Sequence, residues 1–344
     1  MDNHLALIEK SERREAFSRT EAELLMEELL SGHIDTPNIV RLLEALNQRP
    51  IHPSELGGFA SIMRSHAAPV FVPRESRPAN LMDTCGTGGD GSGTFNISTA
   101  AALVAAAAGA RVAKHGNRSV GSQSGSADVL EALGVRIDLP LEKSGQSIRE
   151  LGIGFLFAPT AHAATRYALA ARKQIGKRTV FNLLGPLTNP AGAEFQVLGV
   201  FSADFLDLMA GTLLELGVRR AFVVHGAGGL DEISPAGETL VAEVAQGTVK
   251  RFVVSPEDFD LPRSPLETLG GGNPHENAAL FRGVLAGELG PRRDAVVLNA
   301  SAALVVSGIA RDFREGAALA GSVLSSGAAG EKLERLIAFT NATR

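Results

Sequence analysis

Residues 81–108 read LMDTCGTGGDGSGTFNISTAAALVAAAA, and this stretch decides the fold. The apolar run Leu81–Cys85 has strand character, breaks into Gly86, Gly88, Gly89, Gly91 and Gly93, and gives way after Asn96 to an alanine-rich helix. Strand, glycine turn and helix in that order belong to an α/β domain. Glycines lack a Cβ, so consecutive amides can turn several N–H groups toward one anion, and the next helix adds its positive N-terminus. Ser98 or Thr99 is expected to cap that helix. The Thr, Asn and Ser side chains here are available as donors or as oxygen ligands for a divalent metal. For the loop taken alone, a plain flexible turn is the competing reading.

Read literally, Gly86-x-Gly88-x-x-Gly91 also fits a dinucleotide fingerprint, which requires an acidic residue about 20 positions on. Residues 91–127 contain no Asp or Glu, so the nicotinamide reading fails. The same window holds Arg111, Lys114 and Arg118, a local +3 in a chain with 33 Lys+Arg, 38 Asp+Glu and a net charge of −5. Clustered cations without acidic neighbours suit a phosphate-rich ligand.

A second strand, Arg111–Lys114, runs into KHGNRSVGSQSGSAD at 114–128, a loop of cations, hydroxyls and glycines built to wrap an anion. Ser126 or Asp128 also serves as cap for a helix beginning near Val129. His115 reads equally as a core or hinge histidine and as a proton carrier. A third loop, VVHGAGGLDE at 223–232, places Asp231 and Glu232 after a strand and a glycine turn. Mg²⁺ takes hard oxygen ligands, commonly one or two carboxylates together with substrate phosphates, and this pair meets that need; solvated surface charge is the alternative. His162 and Arg172 stand ten residues apart in a helical stretch, close to three turns, and are expected to share a face. Arg172 there could grip a carboxylate, or simply lie on the surface.

Working outward, residues 1–72 show helical apolar spacing, as in Leu25, Met26, Leu29 and Leu30, then Ile39, Leu42, Leu43 and Leu46. Pro69, Pro73 and Pro78 form a connector into residues 78–344, where Gly154–Phe157, Phe195–Val200 and Ala221–His225 read as further strands and Leu240–Val244 and Val249–Val254 as two antiparallel pieces. The fold class expected is α/β, a small N-terminal helical domain plus a larger α/β domain, as 344 residues at ~100–200 per domain also suggest. The 17 aromatics include no Trp, and with net negative charge they speak against nucleic acid as a partner. No apolar run approaches the ~20 residues of a membrane span; Ala100–Ala110 is the longest, at eleven. A single cysteine, Cys85, and a start without a basic-then-apolar signal lead to a cytoplasmic expectation.

The motifs GTGGD at 86–90, NIST at 96–99, KHGNRS at 114–119, SGSADVLEALG at 124–134, RTVFNLLGPLTNP at 178–190 and GLDE at 229–232 closely resemble those of the anthranilate phosphoribosyltransferases of tryptophan biosynthesis, over nearly the whole chain. The resemblance implies a homodimer, a central mainly parallel sheet with flanking helices, and helices near 160–180 that return to the small domain. It implies that Gly86, Gly89, Asp90, Thr94, Asn96, Ile97, Ser98, Thr99, Lys114, His115, Gly116, Asn117, Arg118, Ser119, Val120, Gly121, Ser122 and Ser126 hold 5-phosphoribosyl diphosphate. Gly86, Asn117, His162 and Arg172 would bind anthranilate, and Ser98, Asp231 and Glu232 would hold magnesium, two Mg²⁺ ions per site. No covalent nucleophile is implied, and His115 is the one nominee for a general base. Gly121, Gln123, Ala163 and Gly228 depart from the family pattern. A pyrimidine-nucleoside phosphorylase and a non-catalytic nucleic-acid-binding paralogue of the same fold are the alternatives.

Overall fold

The strand pattern organises the molecule. In the computed structural model, which describes residues 3–119 and 123–342, the chain begins with four helices: α1 (Asn3–Glu12), α2 (Arg19–Leu30), α3 (Thr36–Leu46) and α4 (Pro53–Ser65). Local chemistry sets their starts. Ser18 accepts from the Glu21 amide while Glu21 accepts from the Ser18 amide, a reciprocal cap on α2, and Asp35 caps α3 ahead of Pro37.

There follow β1 (Leu81–Gly86), α5 (Ile97–Ala107), β2 (Arg111–Gly116), α6 (Ser126–Ala132), α7 (Leu141–Leu151), β3 (Ile153–Phe157), α8 (Ala158–Ala161), α9 (Arg166–Ile175) and α10 (Val180–Leu184). The rest of the chain gives β4 (Phe195–Gly199), α11 (Leu206–Glu215), β5 (Arg220–Gly226), β6 (Thr239–Ala245), β7 (Thr248–Val254), α12 (Pro274–Leu285), α13 (Pro291–Val306), α14 (Phe313–Ser325) and α15 (Ala328–Ala342). The strands form one sheet in the order β3-β2-β1-β4-β5-β6-β7, parallel from β3 through β5. β6 and β7 are antiparallel, closed by a two-residue turn with Gln246 and Gly247 both at positive φ.

Side chains alternate across the sheet. On one face Val197, Phe222, Val224 and Val241 pack with α5, α6 and α12–α15; on the other Leu198, Ala221, Val223 and Val244 pack with α11 and, through it, with α2–α4, α9 and α10. The result is a sheet between two helical layers. The N-terminal helices therefore share one apolar core with Ala168, Ala171, Val180 and Phe181 and with the sheet face above β4 and β5. Alanines of α5 are buried all round, which lets that helix sit close between the sheet and α13. No helix among the described residues is long and apolar enough to cross a membrane.

Strand order reverses beside β1, since β2 and β3 lie to one side and β4 and β5 to the other. In open α/β sheets the crevice above the carboxyl ends of the strands at such a point is the favoured ligand position.

Candidate active site

The loops that follow β1, β2 and β5 meet in that crevice. β1 and β4 end side by side on paired glycines, Gly86 and Gly199. A Cβ on Gly199 would run into the backbone carbonyl of Asp231, and one on Gly86 would run into its carboxylate. Two missing side chains thus make the seat on which the third loop lies. The chain reaches it through a turn at Ala227–Gly229 closed by Gly226 N–H to Leu230 O at 2.8 Å. Gly228 there has φ +80°, and a Cβ would collide with Leu266, so glycine at this departure from the family pattern is what the turn demands. Asn299 of α13, buried, accepts from Ile233 N–H (2.9 Å) and donates to Ile233 O (3.0 Å), pinning the segment just after Glu232.

Asp231 Oδ2 accepts from the Gly88 amide at 2.8 Å, and Glu232 Oε1 accepts from the Ser98 amide at 3.0 Å. The expected cap of α5 is therefore corrected. The helix opens at Ile97, with Asn96 at its cap position making no cap bond, and the free Ser98 amide is met by a carboxylate from 134 residues away. Asp90 Oδ2 lies 3.4 Å from the Asp231 amide and also accepts from Ser92 Oγ at 2.8 Å. Burial, then the Asp90 charge, pushes the Asp231 carboxyl up to about 7. Burial, then the Asp231 charge, pushes Glu232 up to about 8, against the opposing pull of Lys114. Three carboxyls and one nearby lysine form a site short of positive charge.

Lys114 is buried, with Nζ donating to Thr84 O at 2.6 Å. Next to it the fully buried Asp83 accepts from the His115 amide (3.2 Å) and from Asn189 Nδ2 (2.8 Å). Asn189 Nδ2 also donates to Ala113 O at 2.7 Å, so one amide fixes β1 and β2 at the floor of the site. The first and second loops are stitched by Asn96, whose Nδ2 donates to Ser124 O (3.1 Å) while Oδ1 accepts from Asn277 of α12 (3.1 Å). Thr94 and Thr99 flank the same turn, Thr99 buried and Thr94 half-buried.

Several expected residues sit differently from their sequence reading. Arg111 opens β2 and lies at the opposite end of the strand from the loops, so the local +3 does not act as one patch. Arg118 is turned back onto Asp128 (3.0 Å) and Glu131 (2.7 Å), which neutralises it. Asp128 Oδ2 accepts from both Ser119 and Gly125 amides at 2.9 Å, closing the loop, and α6 begins at Ser126, three residues ahead of expectation. Ser126 Oγ donates to Asn117 O (3.3 Å), Asn117 is exposed, and half-buried Gly116 has Ser126 Oγ where a Cβ would go. Val120, Gly121 and Ser122 lie outside the described residues.

His162 and Arg172 are not on one helix. A 3-10 turn at Ala163–Thr165 separates α8 from α9, because His162 leaves helical geometry at φ −122°, ψ 54°. His162 instead packs edge-on against His115, ring centroids 5.2 Å apart. Burial, then the His162 charge, pushes His115 down to about 3, and burial pushes His162 down to about 4. Burial thus favours the neutral form of both rings, which weakens His115 as a general base. Arg172 lies 5.1 Å over the Phe181 ring and is half-buried, with burial lowering its pKa; among the described residues it forms no ion pair.

The class defined by this fold and site is a glycosyl transferase: the sequence model of the glycosyl transferase family, a/b domain, matches residues 78–330. Anthranilate phosphoribosyltransferase of Desulforamulus reducens is 49% identical, the match covering 94% of this chain and 92% of that protein. Its Thermus thermophilus counterpart, a crystal structure, superposes with a TM-score of 0.92 at 48% identity over 99% of this chain and 100% of that one. The Saccharomyces cerevisiae enzyme, solved in complex with PRPP and Mg, superposes at 0.88 with 27% identity over 98% of each chain. The chain belongs to the anthranilate phosphoribosyltransferase family.

Proposed function

We infer that the chain transfers the 5-phosphoribosyl group of 5-phosphoribosyl diphosphate to the amine of anthranilate, releasing N-(5-phosphoribosyl)anthranilate and diphosphate, a step of tryptophan biosynthesis. The observation that carries this reading is the meeting of the post-β1, post-β2 and post-β5 loops over the paired Gly86 and Gly199, with amides, hydroxyls and Lys114 on one side and carboxyls on the other.

In this reading the residues from Gly86 to Thr99 and from Lys114 to Ser126 hold the phosphoribosyl diphosphate, Gly86 standing where the two substrates meet. The side chain of Arg118 braces its loop through Asp128 and Glu131 instead of touching phosphate. Asn117, His162 and Arg172 position anthranilate, His162 being buried against the His115 ring.

The donor set fits magnesium. Asp231, Glu232 and the Ser98 hydroxyl are hard oxygen donors, and the crowding of Asp90, Asp231 and Glu232 calls for a cation. Among the described residues no cluster of three or more His, Cys, Asp or Glu side chains is arranged to hold a metal unaided, in keeping with an ion that shares its shell with substrate phosphates and water. We propose two Mg²⁺ per site. When bound, magnesium supplies electrostatic stabilisation to the departing diphosphate.

The bond between ribose C1 and the diphosphate oxygen breaks with its electron pair on the diphosphate. Loop amides and Lys114 stabilise that charge as it develops. The arylamine is neutral at pH 7 and attacks C1 directly, so orientation by Asn117 and Arg172, which can contribute roughly 7–11 kcal/mol, replaces prior activation by a base; the proton released as the N–C1 bond forms passes to solvent or to the departing diphosphate. A homodimer and a hinge between the helical unit (1–72 with 160–180) and the α/β unit (78–344) complete the proposal. The test is direct. The pure protein mixed with anthranilate, phosphoribosyl diphosphate and Mg²⁺ should consume anthranilate fluorescence in step with diphosphate release. Phosphate-dependent cleavage of thymidine or uridine in its place would overturn the reading.

A further inference from the structure

Arg178 lies between α9 and α10, and no part of the mechanism above uses it. Its backbone carbonyl accepts from Asn47 Nδ2 (2.9 Å) at the end of α3, while its guanidinium reaches across to donate to the Gly89 carbonyl of the glycine loop. The guanidinium lies over the Phe201 ring, its Cζ 4.0 Å from the centroid. That shelf is itself fixed: Phe201 N–H donates to Thr87 Oγ1 of the glycine loop (3.2 Å), and the ring packs on Phe205 with centroids 4.9 Å apart.

Arg178 is exposed and, among the described residues, pairs with no carboxylate. A full positive charge is thus held over a loop of amides with a neutral carbonyl and an aromatic face, and no anion, as its partners. Planar guanidinium donors prefer phosphate oxygens to carbonyls, in both charge and geometry. We propose that Arg178 is a catalytic residue that binds the diphosphate from the helical side of the cleft. It exchanges Gly89 O for a diphosphate oxygen and stabilises the electron pair left there when the ribose C1–O bond breaks. Because Asn47 ties Arg178 to α3, the same contact draws the N-terminal helices over the occupied site. This rests on the reading above that places the diphosphate at the glycine loop.

The test titrates inorganic pyrophosphate with Mg²⁺ into the wild-type protein, Arg178→Ala and Arg178→Gln by calorimetry, with steady-state constants measured alongside. Glutamine keeps a donor for Gly89 O and loses the charge, so a purely structural bridge would survive in it. Both variants should bind pyrophosphate about 10- to 100-fold more weakly, the usual range for losing a charge-assisted contact. KM for phosphoribosyl diphosphate should rise similarly, KM for anthranilate should stay within about twofold, and the ligand-free melting temperature should fall by no more than about 2 °C, the worth of one exposed contact. If wild type binds pyrophosphate and either variant binds it within twofold of wild type, the role of Arg178 is refuted while the placement of the diphosphate stands. If wild type itself shows no magnesium-dependent pyrophosphate binding, both fall.

Discussion

Removing the paired charges at Asp231 and Glu232 should change how the protein's stability depends on pH. With burial and mutual repulsion raising these carboxyls to about 7 and about 8, the folded chain without magnesium holds two protons that the unfolded chain has already lost. Folding thus binds protons, and stability falls as pH rises through the raised values. The two buried histidines act in the opposite sense: their depressed values cost stability at low pH, and at their ordinary 6.5 only about 0.4 kcal/mol of that cost remains for each. In the window from about pH 6.5 to 8.5 the carboxyls therefore dominate, the histidines returning about 1 kcal/mol. Across it, release of both protons costs about 2–3 kcal/mol, or about 4–6 °C in melting temperature at roughly 2 °C per kcal/mol for a chain of this length. The assay is thermal unfolding of metal-free protein across that window, with and without Mg²⁺. Wild type should lose those degrees and regain them with Mg²⁺, most at the alkaline end. The double variant Asp231→Asn with Glu232→Gln should show no fall with pH, be indifferent to Mg²⁺ and be inactive with folding retained. An unchanged slope in the double variant, or intact magnesium-dependent turnover, would refute the reasoning.

Asn189→Ala should cost about 2–4 kcal/mol, because the buried Asp83 carboxylate and Ala113 carbonyl each lose a donor; a melting temperature within 1 °C of wild type would count against it. Gly199→Ala should abolish magnesium binding while the protein still folds, since the new methyl displaces the Asp231 backbone; wild-type magnesium affinity would show that the seat is not where it is drawn. Arg172→Ala should raise KM for anthranilate about tenfold and leave that for phosphoribosyl diphosphate nearly unchanged, the opposite pattern removing Arg172 from the acceptor site.

The sheet could be read in the sequence because its strands are short apolar runs cut off by glycine, and the loops because glycines and hydroxyls cluster only where backbone must approach an anion. What could not be read was where each side chain's partner lies. The cap of α5 comes from Glu232, which no local rule supplies. Arg111 and Lys114 are three residues apart, yet the strand carries one away from the site and the other toward it, and a count of charge cannot see strand polarity. Arg118 looked free until α6 began early enough to bring Asp128 and Glu131 against it. His162 and Arg172 fit a helical spacing that a 3-10 turn breaks. Asn189, Asn277 and Asn299 were invisible as site-building residues because their partners are distant in sequence, though a buried asparagine always needs partners.

The most direct measurement is a crystal structure of the protein soaked with phosphoribosyl diphosphate and Mg²⁺. One molecule is expected in the crevice above β1 and β4, its diphosphate against Gly86–Thr99 and metal density at Ser98, Asp231 and Glu232. The same compound bound anywhere else, or metal density away from those carboxylates, would contradict the proposed site.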